Sequence, residues 1–365
     1  MRKGALMTET KTDKPKSKAG LIGLLVVVGV LLIAALFLLP WILRGSHQGG
    51  VVTAVKAAGG RASYGFRLSD DATYGFNEKK GGERGFVENI MGEGYTEKLT
   101  QIIWNKSSFD SALIGRIADL PALEIVDLSG PTRSDGTLEP TNLSDIDFEN
   151  LCGCPTIKKL WANGGQIGDA GAASLTGLPN IESLSLDHTQ ITDEALNAIS
   201  GQAKLKRLYL EHTAITDAGV EKLAGLEGLQ GIGLQATKVT GKSIEILAKL
   251  TELEEVRLGD TAVGGAVAKL VALPKLKELN LEGANVTDAD LIWLKDCEKL
   301  EKVWLSRTQV TDEIASTLAK MPALILVHLN DTAVSQDAWV AMRRNLGRNV
   351  NVQIEAYEEL VENNK

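Results

Sequence analysis

From about residue 99 to about 346, apolar and polar positions alternate in a pattern that keeps returning. One copy reads Ile181, Leu184, Leu186, Thr189, Ile191, Asp193, Leu196, Ile199. The next holds Leu205, Leu208, Leu210, Thr213, Ile215, Asp217, Val220 and Leu223 in the same places. First apolar positions fall at Leu99, Leu123, Ile157, Ile181, Leu205, Leu229, Leu253, Leu276, Leu300 and Leu324, in steps of 24 residues except one of 34 and one of 23. The long step is an insertion, Pro131–Pro140, whose prolines, Ser134 and Gly136 predict a surface loop.

Within a unit, the period-two alternation at Leu184 and Leu186 predicts a short strand. Residues 184 and 186 then face the core while 183, 185 and 187 face out. Thr192-Asp193 and Thr216-Asp217 predict helix starts. Leu196 and Ile199 follow at helical spacing, so a helix or 3₁₀ turn should back each strand. The acidic series Asp145, Asp169, Asp193, Asp217, Asp288 and Asp312 reads as helix capping. Thr at the turn is expected to satisfy backbone groups of a neighbouring coil. Gly241 and Gly265 stand where the Asp should be, which predicts a looser backing segment over 241–272. A lone coil buries too little apolar surface to offset the entropy of ordering its backbone, so the units must stack.

The pattern resembles the leucine-rich repeat family, with its L-x-x-L-x-L-x-x-N/C-x-L core, over roughly 250 of 365 residues. Thr189, Thr213, Thr237, Thr261, Thr308 and Thr332 take the Asn/Cys position, and Gly165 and Ala284 take it in two units. The T-x-I-T-D form looks like a bacterial class of the family. The resemblance implies an α/β solenoid, with a curved parallel sheet on its concave face and short helices or 3₁₀ turns on its convex face.

Outside the repeats the hydropathy changes character. Residues 1–20 are polar and basic and read as a disordered tail. Leu21–Leu43 is a charge-free apolar run of 23 residues ending near Trp41, long enough to span the ~30 Å hydrocarbon core. It exceeds the roughly 7–15 apolar residues of a cleaved signal and shows no clear cleavage site, so a retained anchor is expected. More basic residues precede the run than follow it, which puts the N-terminus in the cytoplasm and the repeats on the outer, periplasmic or extracellular, side. Segment 44–98 reads as tether and N-terminal cap, with apolar Val51, Val52 and Val55 and an alternating strand from Arg61. Segment 347–365 reads as C-terminal cap and tail, with one last alternation at Val350, Val352 and Ile354.

Charge narrows the partners. The net charge is −8; residues 1–44 carry +5, so the remainder carries −13. A body that acidic repels phosphate backbones, which argues against nucleic acid. The three cysteines, Cys152, Cys154 and Cys297, form no disulfide framework. Cys154 and Cys297 share one apolar position, and Cys152 could pair with Cys154 only through a strained short loop.

No P-loop, G-x-S-x-G, H-E-x-x-H or C-x-x-C pattern is present, so a non-enzymatic protein without cofactor is expected. Chemistry is sought instead on the outward sheet face. One outward column reads Ile103, Asp127, Trp161, Ser185, Tyr209, Gly233, Arg257, Asn280, Trp304 and His328; its neighbour adds Lys159, Arg207, Glu255, Glu278, Lys302 and Leu326. Trp, Tyr and Arg dominate interface hot spots, so Trp161, Tyr209, Arg257, Trp304, His328, Lys159, Arg207 and Lys302 are the candidate contacts for a protein ligand. The competing reading is that the aromatics pack on one another. His188 and His212, equivalent in consecutive units beside Asp187 and Glu211, form a weak metal candidate. Two other functions are open: an adaptor similar to the repeat-bearing receptors of ubiquitin ligases, although 44–98 holds no F-box-like module, and a cell-envelope enzyme using Asp70, Asp71, Glu78 or Glu83.

Overall fold

The computed structural model describes residues 48–64, 99–134, 136–346 and 350–353. The chain forms two units, one of residues 1–50 with 83–96 and one of 51–82 with 97–365. Of the first, only the helical residues 48–50 are described. The run Leu21–Leu43 and the acids of 70–83 lie outside the described residues, as do the tail after residue 353 and the 1–20 segment. Among the described residues no helix is long and apolar enough to cross a membrane.

The second unit is built on one 12-stranded sheet whose strands follow chain order from β1 to β12. Strands β2 (Leu99–Ile103), β3 (Ile125–Asp127), β4 (Lys159–Trp161), β5 (Ser183–Ser185), β6 (Arg207–Tyr209), β7 (Gly231–Gly233), β8 (Glu255–Arg257), β9 (Glu278–Asn280), β10 (Lys302–Trp304) and β11 (Leu326–His328) are the repeat strands. All pair in parallel and residue for residue with the next. Each central residue, from Ile102 through Leu184 and Leu208 to Val327, is fully buried. A helix or 3₁₀ segment returns the chain behind each strand; Leu196 and Ile199 bury the inner face of one, Val267 and Leu270 that of another.

Both sheet ends are closed. β1 (Arg61–Tyr64) pairs antiparallel with β2. Behind it, residues 51–57 are helical and bury Val51, Val52 and Val55. The indole N–H of Trp104 donates to the Ala58 carbonyl at 3.3 Å, and Phe109 meets the same ring edge-on at 5.0 Å. At the other end, helix Gln336–Leu346 buries Trp339 and Met342, and β12 (Asn351–Gln353) adds a last parallel strand. The insertion folds into a small turn, with Thr132 bridged antiparallel to Leu138 and Arg133 paired with Glu139 at 3.4 Å.

Stacking rests on three repeated devices. After each of the strands β4 to β11 one residue takes a left-handed backbone: Gly164, His188, His212, Ala236, Asp260, Gly283, Arg307 and Asp331. That conformation is costly outside glycine. It aims the residue's N–H at the next coil, as in His188 N–H to Glu211 O and His212 N–H to Gln235 O, both 2.8 Å.

The threonines at the Asn/Cys position of the repeat behave differently from expectation. Thr189 and Thr213 each donate their hydroxyl to a carbonyl three residues earlier in their own coil, Leu186 and Leu210, at 2.6 Å. The side chain is short, and the nearest bare carbonyl is the one its own turn exposes, so it does not reach a neighbouring coil.

The aspartates also depart from simple capping. The caps are the threonines: Thr216 accepts from Ala218 N–H and Thr240 from Lys242 N–H. Each Asp instead reaches into the following coil. Asp193 accepts from Thr216 N–H at 2.8 Å and from its hydroxyl at 2.6 Å. Asp217 does the same with Thr240 and adds the N–H and hydroxyl of Ser243. These hydrogen bonds hold the Asp217 carboxylate below its usual range against the opposing effect of burial.

Gly241 and Gly265 interrupt this ladder, but the backing segment stays regular: 241–247 is an α-helix and 264–272 a 3₁₀ helix. The missing acceptor is replaced locally. Asn285 Oδ1 accepts Gly264 N–H at 2.8 Å, and Asp290 makes a capping box with Thr287 of its own coil.

Candidate binding face

The outward columns read from the sequence are register rows of the sheet. Trp161 lies between Asp127 and Ser185, Tyr209 between Ser185 and Gly233, and Trp304 between Asn280 and His328. The other row sets Lys159, Ser183, Arg207, Gly231 and Glu255 side by side. Trp161, Trp304, Tyr209, Arg257, Lys159, Arg207, Lys302 and His328 are all half-buried. The small residues Ser183, Ser185, Gly231 and Gly233 are buried at the foot of these longer neighbours.

The eight side chains do not form one continuous patch. Tyr209 and Arg257 are engaged with each other, with the guanidinium 5.0 Å from the ring centre. The Tyr209 hydroxyl donates to Glu255 Oε2 at 2.9 Å, across the intervening strand. Arg257 pairs with Glu255 at 2.5 Å and Glu211 at 3.5 Å. Burial opposes the charge on Arg257, but Glu255, Glu211 and Tyr209 outweigh it and raise its pKa. Burial, with the neighbouring Glu255 charge, raises that of the Tyr209 phenol. For these two residues the packing reading applies.

Lys302 pairs with Glu278 at 2.7 Å, and His328 tilts against Trp304 with ring centres 5.8 Å apart. Lys159 and Arg207 donate backbone N–H groups to the Glu124 and Glu182 carbonyls, and the Arg207 stem lies over Gly231 beside Glu255, where its charge acts on the Tyr209 phenol.

Beside this face the acids form their own chain. Asp187 accepts from Ser185 Oγ at 2.9 Å and from Glu211 N–H at 2.7 Å. Burial and then the Glu211 charge raise its pKa to about 7. Burial raises Glu211 too, against the pull of Arg257. Sequence reasoning passed over Glu211 and Glu255 as partners. Two glycines on the outward positions of one strand were the available signal, since side chains two coils apart can meet over residues that carry none.

The metal candidate is corrected. His188 and His212 stack face to face, 4.0 Å between centres and 13° between planes. Ring nitrogen lone pairs lie in the ring planes, so parallel stacked rings cannot aim both at one ion. Burial and the second ring lower the His188 pKa. Among the described residues no cluster of three or more His, Cys, Asp or Glu could hold a metal. The pairing of Cys152 with Cys154, left open by the sequence, is not formed: all three cysteines are free and buried. Cys154 Sγ turns instead to the Leu120 carbonyl at 3.6 Å.

Residues 177–200 and 201–224, the coils of β5 and β6, match the family model described as Leucine Rich repeat. The coils on either side of these two keep the same register strand for strand. A comparison with curated proteins gives no match. Among solved structures, an internalin (inlF) of Listeria monocytogenes is similar at 16% identity and a TM-score of 0.45, covering 74% of this chain and 93% of its own. An internalin C2 of the same species gives 25% identity and 0.38, covering 67% and 84%. The Arabidopsis receptor kinase HAESA, in complex with a peptide hormone and a co-receptor, gives 17% identity and 0.47; the match covers 65% of this chain and 39% of that one.

Proposed function

We propose that this chain is a non-enzymatic scaffold that binds a protein through the outward face of its sheet. In this reading Leu21–Leu43 anchors it in a membrane with the repeats on the outer side. The carrying observation is the half-exposure of Trp161 and Trp304 in one register row of a sheet whose strands are paired on both edges. A tryptophan on a rigid strand presents a large apolar surface and loses little freedom on binding. The row extends over ten repeat strands, about 45 Å at ~4.8 Å spacing, which suits a protein better than a metabolite. Engagement of Tyr209 with Arg257 makes them a stiff centre, with Trp161, Lys159 and Arg207 on one side and Trp304, His328 and Lys302 on the other.

The test is photo-crosslinking of the full chain in its native membrane fraction. Trp161→Ala with Trp304→Ala should abolish capture of the partner while the thermal melt is unchanged. Undiminished capture would sink the reading. Protease treatment of intact cells should cleave the repeats if they face outward; cleavage only after cytoplasmic access would reverse the orientation.

A further inference from the structure

We infer that the face over β3 and β4 holds an arginine side chain of the bound protein, its guanidinium lying on the Trp161 ring and pairing with the Asp127 carboxylate. The inference rests on the protein-binding reading and names the chemistry of the partner.

The face already contains one such arrangement, filled from within. Arg257 lies over the Tyr209 ring, 5.0 Å from its centre, and pairs with Glu255 and Glu211. A ring and a carboxylate together attract a guanidinium twice. The ring face acts through its quadrupole, and the carboxylate through charge-assisted hydrogen bonds.

Trp161 and Asp127 repeat that pairing of ring and carboxylate. They are direct neighbours in the outward register row, about 4.8 Å apart across the sheet. Here the chain supplies no cation. Asp127 accepts from neutral donors, Ser129 N–H at 3.0 Å and the Asn105 amide at 3.2 Å. Each of these takes one carboxylate oxygen, and each oxygen keeps room for a second donor. The nearest cations by register are Arg61, across Ile103 on β1, and Lys159, beside Ile125 in the other row. Neither makes an ion pair with Asp127 among the described residues.

Asp127 is 7% exposed, and a charge so far removed from water is felt strongly by an incoming cation. Half-buried Ile103 and Trp161 stand on either side of it in the row, apolar walls for the methylene stem of an arginine. The planar fork of a guanidinium can stack on the indole and donate to both carboxylate oxygens, which an ammonium cannot. The chain carries a net charge of −8, so a basic segment is drawn to it from a distance. Ring and carboxylate then fix where its arginine comes to rest.

The test uses the full chain and short dye-labelled peptides, read by fluorescence anisotropy. A peptide alternating Arg and Leu should bind about tenfold more tightly than one alternating citrulline and Leu, which keeps the side-chain shape and loses its charge. Asp127→Asn and Trp161→Leu should each remove most of that preference, and Trp161→Phe should retain most of it. Glu298→Gln removes an exposed charge just before β10 and should leave the preference intact. That control separates the site from the general attraction of an acidic chain for a basic peptide. Equal binding of the citrulline peptide overturns the inference, as does an Asp127→Asn effect no larger than that of Glu298→Gln. Equal binding of a Lys–Leu peptide overturns it in favour of a bare positive charge. Should Asp127→Asn misfold, the contrast between Trp161→Leu and Trp161→Phe decides, and equal loss in both overturns the inference. A partner lost with Trp161→Ala and Trp304→Ala but indifferent to Asp127→Asn would leave the binding face standing and remove this inference alone.

Discussion

The hydroxyl of Tyr209 donates to Glu255 at 2.9 Å although the two residues lie two coils apart. The strand between them carries Gly231 and Gly233 on its outward positions. A Cβ on Gly233 would lie 2.7 Å from Glu211 Oε1 and 2.8 Å from the Tyr209 ring. The absence of side chains on β7 is what allows β6 and β8 to join above it.

Gly233→Val should break that link. Overpacking costs about 1–3 kcal/mol, and Tyr209→Phe alone about 1 kcal/mol for the lost hydrogen bond. In a urea-denaturation cycle the two should be sub-additive, because the first already displaces the ring. Full additivity would mean that Tyr209 does not depend on the glycines.

The carboxylate ladder makes its own demand. Asp217→Ala removes the side-chain acceptor of Thr240 N–H, leaves Ser243 N–H only the Thr240 carbonyl, and should cost about 1–3 kcal/mol by the same measurement. Gly241→Asp should not extend the ladder. Its Cβ would stand 2.8 Å from that of Ala266, so the substitution should destabilise.

Asp187 supplies a pH dependence. Its folded pKa, about 7, lies above the ordinary 3.8 of an unfolded aspartate. Between those values the folded chain holds a proton that the unfolded chain has released, so this group's contribution to stability falls as pH rises through the window. Asp187→Asn should flatten that decline in melting temperature between acid and neutral pH. A steeper decline in the variant would contradict the assignment.

The thiols should be silent. Burial, with the Glu149 charge, pushes Cys152 up to about 12, and burial, with Asp296, pushes Cys297 up to about 11. Iodoacetamide at mildly alkaline pH should leave both unmodified by mass spectrometry until denaturant is added. Rapid labelling of the native chain would show that the core around β4 opens.

The repeat itself was legible in the sequence because its period is carried by local chemistry. Apolar residues at fixed spacing have one way to be buried together, and this sets the strands, their register and the rows facing out. The row containing Trp161, Tyr209, Arg257 and Trp304 follows from counting alone. What those side chains do to one another does not, because it depends on residues 23 to 46 positions away brought close by stacking. Thus Tyr209 and Arg257 are tied to Glu255 and Glu211, the aspartates hold the next coil's threonines, and His188 stacks on His212. Local pattern determined the scaffold; proximity between coils, which no single stretch of sequence encodes, decided which side chains of the face are tied to one another.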